Sequence, residues 1–213
     1  MSRILPGVAA MAAVVVASNI LVQFLLGNWL TWGALTYPIA FLVTDVMNRV
    51  YGPAAARKVV FAGFGVGIIC SLIGSQIMIE FAPGVTGPAV ALRVAVGSAI
   101  AFLTAQLLDV AIFDRLRGRA WWKAPLTSTL IGSAVDTALF FTIAFSASIA
   151  VFGASADAEI SWAWDAVPFL GAGAEMPLWA SLAVADWGVK LAIALIALVP
   201  FRIIVAKLSP SVS

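Results

Sequence analysis

Histidine is absent from the 213 residues, and cysteine occurs once, as Cys70. The first absence excludes every metal centre or acid–base relay built on imidazole, and the second excludes an intramolecular disulfide. No redox or zinc chemistry is implied, and no metal or cofactor is expected. Charge is also scarce: Asp, Glu, Lys and Arg make up 10% of the chain, with a formal net charge of +2. So little charge cannot clothe a water-soluble surface of this size.

What is present is apolar. Hydrophobic residues are 63% of the chain and the mean hydropathy is +1.08, the composition of a polytopic membrane protein. Hydropathy predicts a single all-α transmembrane domain over residues 1–213 with six spans, at about 6–26, 29–48, 58–80, 90–113, 124–151 and 178–203. Each break carries a turn or loop signal: Gly27-Asn28, Tyr51-Gly52-Pro53, Pro83-Gly84 with Gly87-Pro88, the basic run from Arg115 to Lys123, and the polar stretch from Gly153 to Pro177. The first apolar stretch is longer than the core of a secretory signal, so it reads as the first transmembrane helix.

Basic residues set the expected orientation. Arg49, Arg57 and Lys58 fall in the second loop, Arg115, Arg117, Arg119 and Lys123 in the fourth, and Arg3, Arg202 and Lys207 at the ends. Alternating spans put them all on one side, which predicts cytoplasmic termini. The fifth loop has no Lys or Arg but holds Asp157, Glu159, Asp165 and Glu175. Three helices followed by three allow an inverted 3+3 repeat, with Asp45 and Asp136 as loose counterparts. Small residues, including Gly63, Gly65 and Gly67, favour close helix approach. The tryptophans near span ends fit an aromatic belt, while Trp162 and Trp164 anchor the acidic loop.

The informative residues are the polar ones at lipid depth. Asp136, Asp186 and Lys190 fall mid-span, where an ionisable group costs about 2.5–3.5 kcal/mol on insertion scales. Asp186 and Lys190 are one turn apart and can pair with each other, or Lys190 can exchange between Asp186 and Asp136. Thr129 and Ser133 share the face of Asp136, and Phe140 lies one turn beyond it. Asn19 and Gln23 share a face of the first span, either bonding other helices or lining a cavity. Tyr37-Pro38 predicts a kink in the second span. Asp45 and Arg49 are spaced for a local ion pair, and Gln106 and Asp109 sit three apart on the fourth span. Asp109 has two expected roles, half of a polar site or a carboxylate paired to Arg115 or Arg49. Asp45 and Asp109 lie at similar depth and could meet.

In order, Ser18–Gln23 (SNILVQ), Thr31–Gly52 (TWGALTYPIAFLVTDVMNRVYG), Ala56–Lys58 (ARK), Gln106–Arg117 (QLLDVAIFDRLR), Trp121–Pro125 (WWKAP), Ser128–Phe145 (STLIGSAVDTALFFTIAF) and Ala185–Lys190 resemble the queuosine precursor transporter family. The resemblance implies a bacterial inner-membrane, multi-pass carrier that takes up 7-cyano-7-deazaguanine and its aminomethyl analogue. The chain departs from the family in its long acidic fifth loop and short C-terminal tail.

Such a substrate suits the residues. A carboxylate accepts from N1–H and the exocyclic amine of a guanine-like edge, amides satisfy its other atoms, and an aromatic ring stacks on it. Asp136 or Asp109 is the expected carboxylate, Asn19, Gln23 and Gln106 the amides, and Tyr37 or Phe140 the stacking ring; Asp45, Asp186 and Lys190 complete the candidate site. The expected activity is import by alternating access, with a buried aspartate taking up a proton. The expected partners are a 7-deazapurine and the lipid bilayer, with no nucleic acid, in a monomer or a homodimer. No lysine follows a phosphate-loop pattern, so the chain has no ATPase of its own. The alternatives are a substrate-capture subunit of a vitamin-importing ATPase complex, suggested by Ala9, Ala10, Ala13 and Ala17, and an intramembrane enzyme using Asp45 and Asp109.

Overall fold

The computed structural model describes residues 2–21, 25–27 and 29–208. Eight α-helices are found among them: α1 (Leu5–Leu21), α2 (Trp32–Thr36), α3 (Ile39–Tyr51), α4 (Pro53–Gly74), α5 (Leu92–Leu116), α6 (Lys123–Phe145), α7 (Ala154–Ala158) and α8 (Leu178–Leu208). Four of these, α4, α5, α6 and α8, are long and apolar enough to cross a bilayer, and α1 is a shorter apolar helix of 17 residues. The protein is therefore a mostly helical membrane protein.

The expected second span is two helices. Pro38 has no N–H to offer the Ala34 carbonyl. Past the break, Ala40 N–H bonds to Tyr37 O (3.0 Å) and Phe41 N–H to Pro38 O (3.2 Å), each one residue short of α-helical spacing. The expected irregularity at Tyr37-Pro38 is thus present as a tightened turn that divides α2 from α3, with both residues keeping right-handed helical backbone angles. At the other end of α3, Gly52 takes a φ of 89° and donates to Asn48 O, and Pro53 opens α4 where no backbone donor is needed.

Elsewhere the helix ends move. The third span was expected at 58–80, but α4 ends at Gly74 and the chain then forms an antiparallel hairpin. The extended pairs in chain order are β1 (Leu25–Leu26) with β2 (Leu30–Thr31), β3 (Met78–Ala82) with β4 (Val85–Pro88), and β5 (Ala166–Pro168) with β6 (Glu175–Pro177). Helix α6 stops at Phe145, where Ser146 turns extended, instead of continuing to 151. Helix α8 runs through Pro200 to Leu208.

Small residues set the helix spacing. A Cβ on Gly97 would lie 3.2 Å from the Ala144 backbone nitrogen, and one on Gly132 would lie 3.3 Å from the Ala105 carbonyl, so α5 and α6 are in near-backbone contact. Gly63 seats Met11 of α1 and Gly67 faces Val15, whereas Gly65 meets nothing. Apolar clusters fill the bundle around Met11, Val59 and Phe102, around Phe113 and Phe201, and around Phe141, Phe145 and Ile160. Between them runs a buried polar seam contributed by α3, α5, α6 and α8.

Candidate functional site

The seam holds two polar groups. The first centres on Lys190, whose ammonium reaches Asp136 Oδ2 on α6 (2.7 Å), Asp186 Oδ2 one turn back on α8 (2.5 Å) and Thr137 Oγ1 (3.0 Å). Three N–H donors thus meet three acceptors. Thr137 passes its own hydrogen to Asp186 (2.9 Å), and Tyr37 donates its hydroxyl to Asp136 Oδ1 (3.0 Å). The ammonium also lies over the Tyr37 ring, 5.4 Å from its centroid. Tyr37 sits directly at the α2–α3 break, so the interruption and the buried ion cluster are one feature.

The expected Asp186–Lys190 pair is present, but shared with Asp136, which therefore does have a basic partner. Thr137, next to Asp136 in the chain and not one of the hydroxyls spaced to share its face, is the hydroxyl that joins the cluster. Ser133 instead bonds its own helix at Leu130 O, and Thr129 serves the second group. Helix α8 approaches α6 between adjacent residues, which helical spacing on α6 alone does not reveal.

The second group lies seven residues along α6, about 10 Å at the rise of an α-helix. Asp45 accepts from Ser128 (3.3 Å) and Thr129 (3.2 Å), and its carboxyl adjoins that of Asp109 on α5. The two acids do meet. Asp109 is fully buried and neither of its oxygens has a hydrogen-bond partner; the same holds for Nε2 of Gln106, one turn away. Gln106 Oε1 accepts from Thr44 (2.6 Å) and Asn48 Nδ2 donates to Val110 O (3.0 Å), which locks α3 to α5 on either side of the acids.

The expected ion pairs of these acids do not form. Arg49 donates to Arg117 O (2.6 Å), and Arg117 to Asn48 O (2.6 Å) and Asn48 Oδ1 (2.5 Å), so both arginines cap helix ends below the acids. A narrow cleft of about 10 Å³, room for roughly one water, runs between α3, α6 and α8. Pro38, Phe41, Asp45 and Thr129 are on its wall, so it runs from the helix break to Asp45, while Asp109 and Gln106 are packed behind Asp45 and off the wall.

Other candidates fall outside these groups. Asn19 donates to Val15 O of its own helix (2.9 Å), while neighbouring Ser18 bonds Thr36 across to α2 (3.0 Å). Gln23 lies outside the described residues. Phe140 packs edge-on against Phe141 and Phe145 in an aromatic cluster. Arg93 was not singled out by its sequence context. It is wholly buried at the start of α5 and donates to Asp157 (2.7 Å), Ser146 O (2.7 Å) and Ile143 O (3.1 Å), pinning α7 and the segment 153–177 onto the bundle. Trp164 adds a bond to Phe145 O (2.6 Å).

A helical membrane protein with a buried, charged seam beside a broken helix has the build of a small-molecule carrier. The chain matches, over residues 31–205, the family described as "Putative vitamin uptake transporter", and it belongs to that family, whose members are transporters and not enzymes. It is 38% identical to the "Queuosine precursor transporter" of Escherichia coli (strain K12), covering 70% of this chain and 71% of that one. It is 35% identical to the "Probable queuosine precursor transporter" of Haemophilus influenzae, covering 80% of this chain and 66% of that one, and 33% identical to a protein of the same name from Bacillus subtilis, covering 57% and 58%. No solved structure matches. The intramembrane-enzyme alternative is overturned by this membership, although its two acids are in contact.

Proposed function

We propose that this chain imports a 7-deazaguanine precursor of queuosine across a bacterial inner membrane by alternating access, and that Asp109 and Gln106 read the base. One observation carries the reading. A buried carboxylate with two free acceptor oxygens stands one helical turn from a buried amide with a free donor. Those are the complements of a guanine edge, with two N–H groups for Asp109 and a carbonyl for Gln106 Nε2. The relatives' names give the substrate class, and a 7-deazaguanine carries this edge unchanged.

The rocking element is the α2–α3 pair, taken as one interrupted crossing that completes six with both termini cytoplasmic. Its break is tied through Tyr37 to Asp136 and Lys190, on the two helices that move against it. Arg93 with Asp157 closes the exported side, and Arg49 with Arg117 closes the cytoplasmic side. Uptake of radiolabelled 7-cyano-7-deazaguanine into proteoliposomes tests the reading: the intact chain accumulates it, and Asp109→Asn reduces uptake at least tenfold without loss of insertion. Equal uptake by the variant rejects the assigned site.

A second reading is favoured by Ala9, Ala10 and Ala13, which form an exposed small-residue face on α1 suited to a coupling subunit. In that reading the purified chain binds the base but does not transport it until an ATPase partner is added.

A further inference from the structure

Asp45 and Asp109 are 3% and 0% exposed, yet no cation answers either one. Among the described residues neither takes part in an ion pair, and the charged groups on every helix packed around them are committed elsewhere or exposed. On α3, Arg49 bonds Arg117 O. On α5, Arg115 is exposed, and Arg117 just past its end bonds Asn48 and Asp114. On α6, Lys123 lies over Trp122. On α8, Lys190 is held by Asp136 and Asp186, and Arg202 lies over Trp121. Arg3, Arg57 and Lys58 on the remaining neighbours are exposed.

Two ionised carboxylates are acceptors only, so neither can bond the other, and side by side in a buried site they repel strongly. Thr129 donates to Asp45, Ser128 has one hydrogen to divide between Asp45 and Pro125 O (both 3.3 Å), and neither oxygen of Asp109 has a hydrogen-bond partner. The group missing from this arrangement is one hydrogen between the two acids.

We propose that Asp45 and Asp109 share a single proton, carried on Asp45 and donated to Asp109, and that this proton is the ion taken up with the substrate. It rests on the base-recognition reading above and adds a coupling ion to it. With Asp45 protonated, its O–H satisfies one lone pair of Asp109 and leaves others for the N–H groups of the base. With the proton gone, the pair carries two negative charges and opposes the binding of a neutral base. Proton and base therefore enter and leave together.

Two measurements on the purified full chain separate the claims. Infrared spectra without ligand are expected to show the carbonyl stretch of a buried protonated carboxyl at neutral pH, lost in Asp45→Asn and in Asp109→Asn. Absence of that band in the intact chain overturns the shared proton. Binding of 7-cyano-7-deazaguanine is then followed against pH. Above the pH at which the carboxyl band of the free chain is lost, the dissociation constant is expected to rise roughly tenfold per pH unit, with about one proton taken up per base bound in weak buffer, and below that pH neither is expected. Asp45→Asn, whose amide donates to Asp109 in place of the acid, is expected to flatten that profile. Binding without proton uptake in that alkaline range, a profile unchanged in the variant, or dependence on sodium at fixed pH overturns the coupling. A carboxyl band in a chain that binds no base sinks the recognition reading and leaves the shared proton standing. Where Asp45→Asn fails to insert, the band and the proton uptake of the intact chain decide.

Discussion

Lys190 Nζ on α8 lies 2.7 Å from Asp136 Oδ2 on α6, with both side chains 4% exposed. A fully desolvated pair of this kind contributes little net stability while intact, but losing one partner strands the other. Lys190→Met leaves Asp136 and Asp186 without their cation and is expected to destabilise the protein by about 3–5 kcal/mol. Adding Asp136→Asn to that variant is expected to recover part of the loss. Denaturant unfolding in detergent micelles checks both.

Tyr37 joins the helix break to the ion cluster through one hydroxyl. Tyr37→Phe keeps the ring under Lys190 but removes a hydrogen bond to a charged acceptor, a loss of about 1.5–3 kcal/mol. The expected result is a lower melting temperature together with a changed transport rate, because the same bond ties the moving segment. A melting curve and an uptake assay on one preparation test it.

Arg93 is the sole ionic tie of the acidic segment among the described residues. Arg93→Met frees α7 and two backbone carbonyls. Limited proteolysis is expected to cut between residues 153 and 165 roughly tenfold faster in the variant, as local opening becomes easier by about 1.4 kcal/mol or more. The bundle helices should remain protected.

A Cβ on Gly132 would lie 3.0 Å from the Phe41 ring, 3.3 Å from the Ala105 carbonyl and 3.4 Å from the Asp109 Cβ. Gly132→Val would force α5 from α6 at the recognition pair, at a cost of about 1–3 kcal/mol. Base affinity is expected to fall more than stability warrants, which equilibrium binding alongside unfolding would reveal.

The membrane class, the approximate helix positions and the interruption at Pro38 were legible because long apolar runs and a proline act locally. Helix ends at Gly74 and Phe145 were not, because the apolar composition continues past them into hairpin and loop. Spacing along one helix placed Asp186 with Lys190 and Gln106 with Asp109. It failed at Thr137 and Arg93, whose partners come from other elements. It also pointed Arg49 toward Asp45, whereas a backbone carbonyl of the neighbouring helix end took the guanidinium instead. The meeting of Asp45 with Asp109 followed from their common depth, which orientation by basic loops supplies. Their lack of any cation is a property of the assembled bundle alone.

The most direct test compares, by equilibrium binding to the intact chain and to Asp109→Asn, 7-cyano-7-deazaguanine with the analogue that lacks the 2-amino group. Asp109 is expected to contribute about 1.5–3 kcal/mol through that amine. The intact chain should then favour the amino form by about tenfold to a hundredfold, and the variant should lose the preference. Equal affinity of the intact chain for both bases, or an undiminished preference in Asp109→Asn, would contradict recognition of the base by this carboxylate.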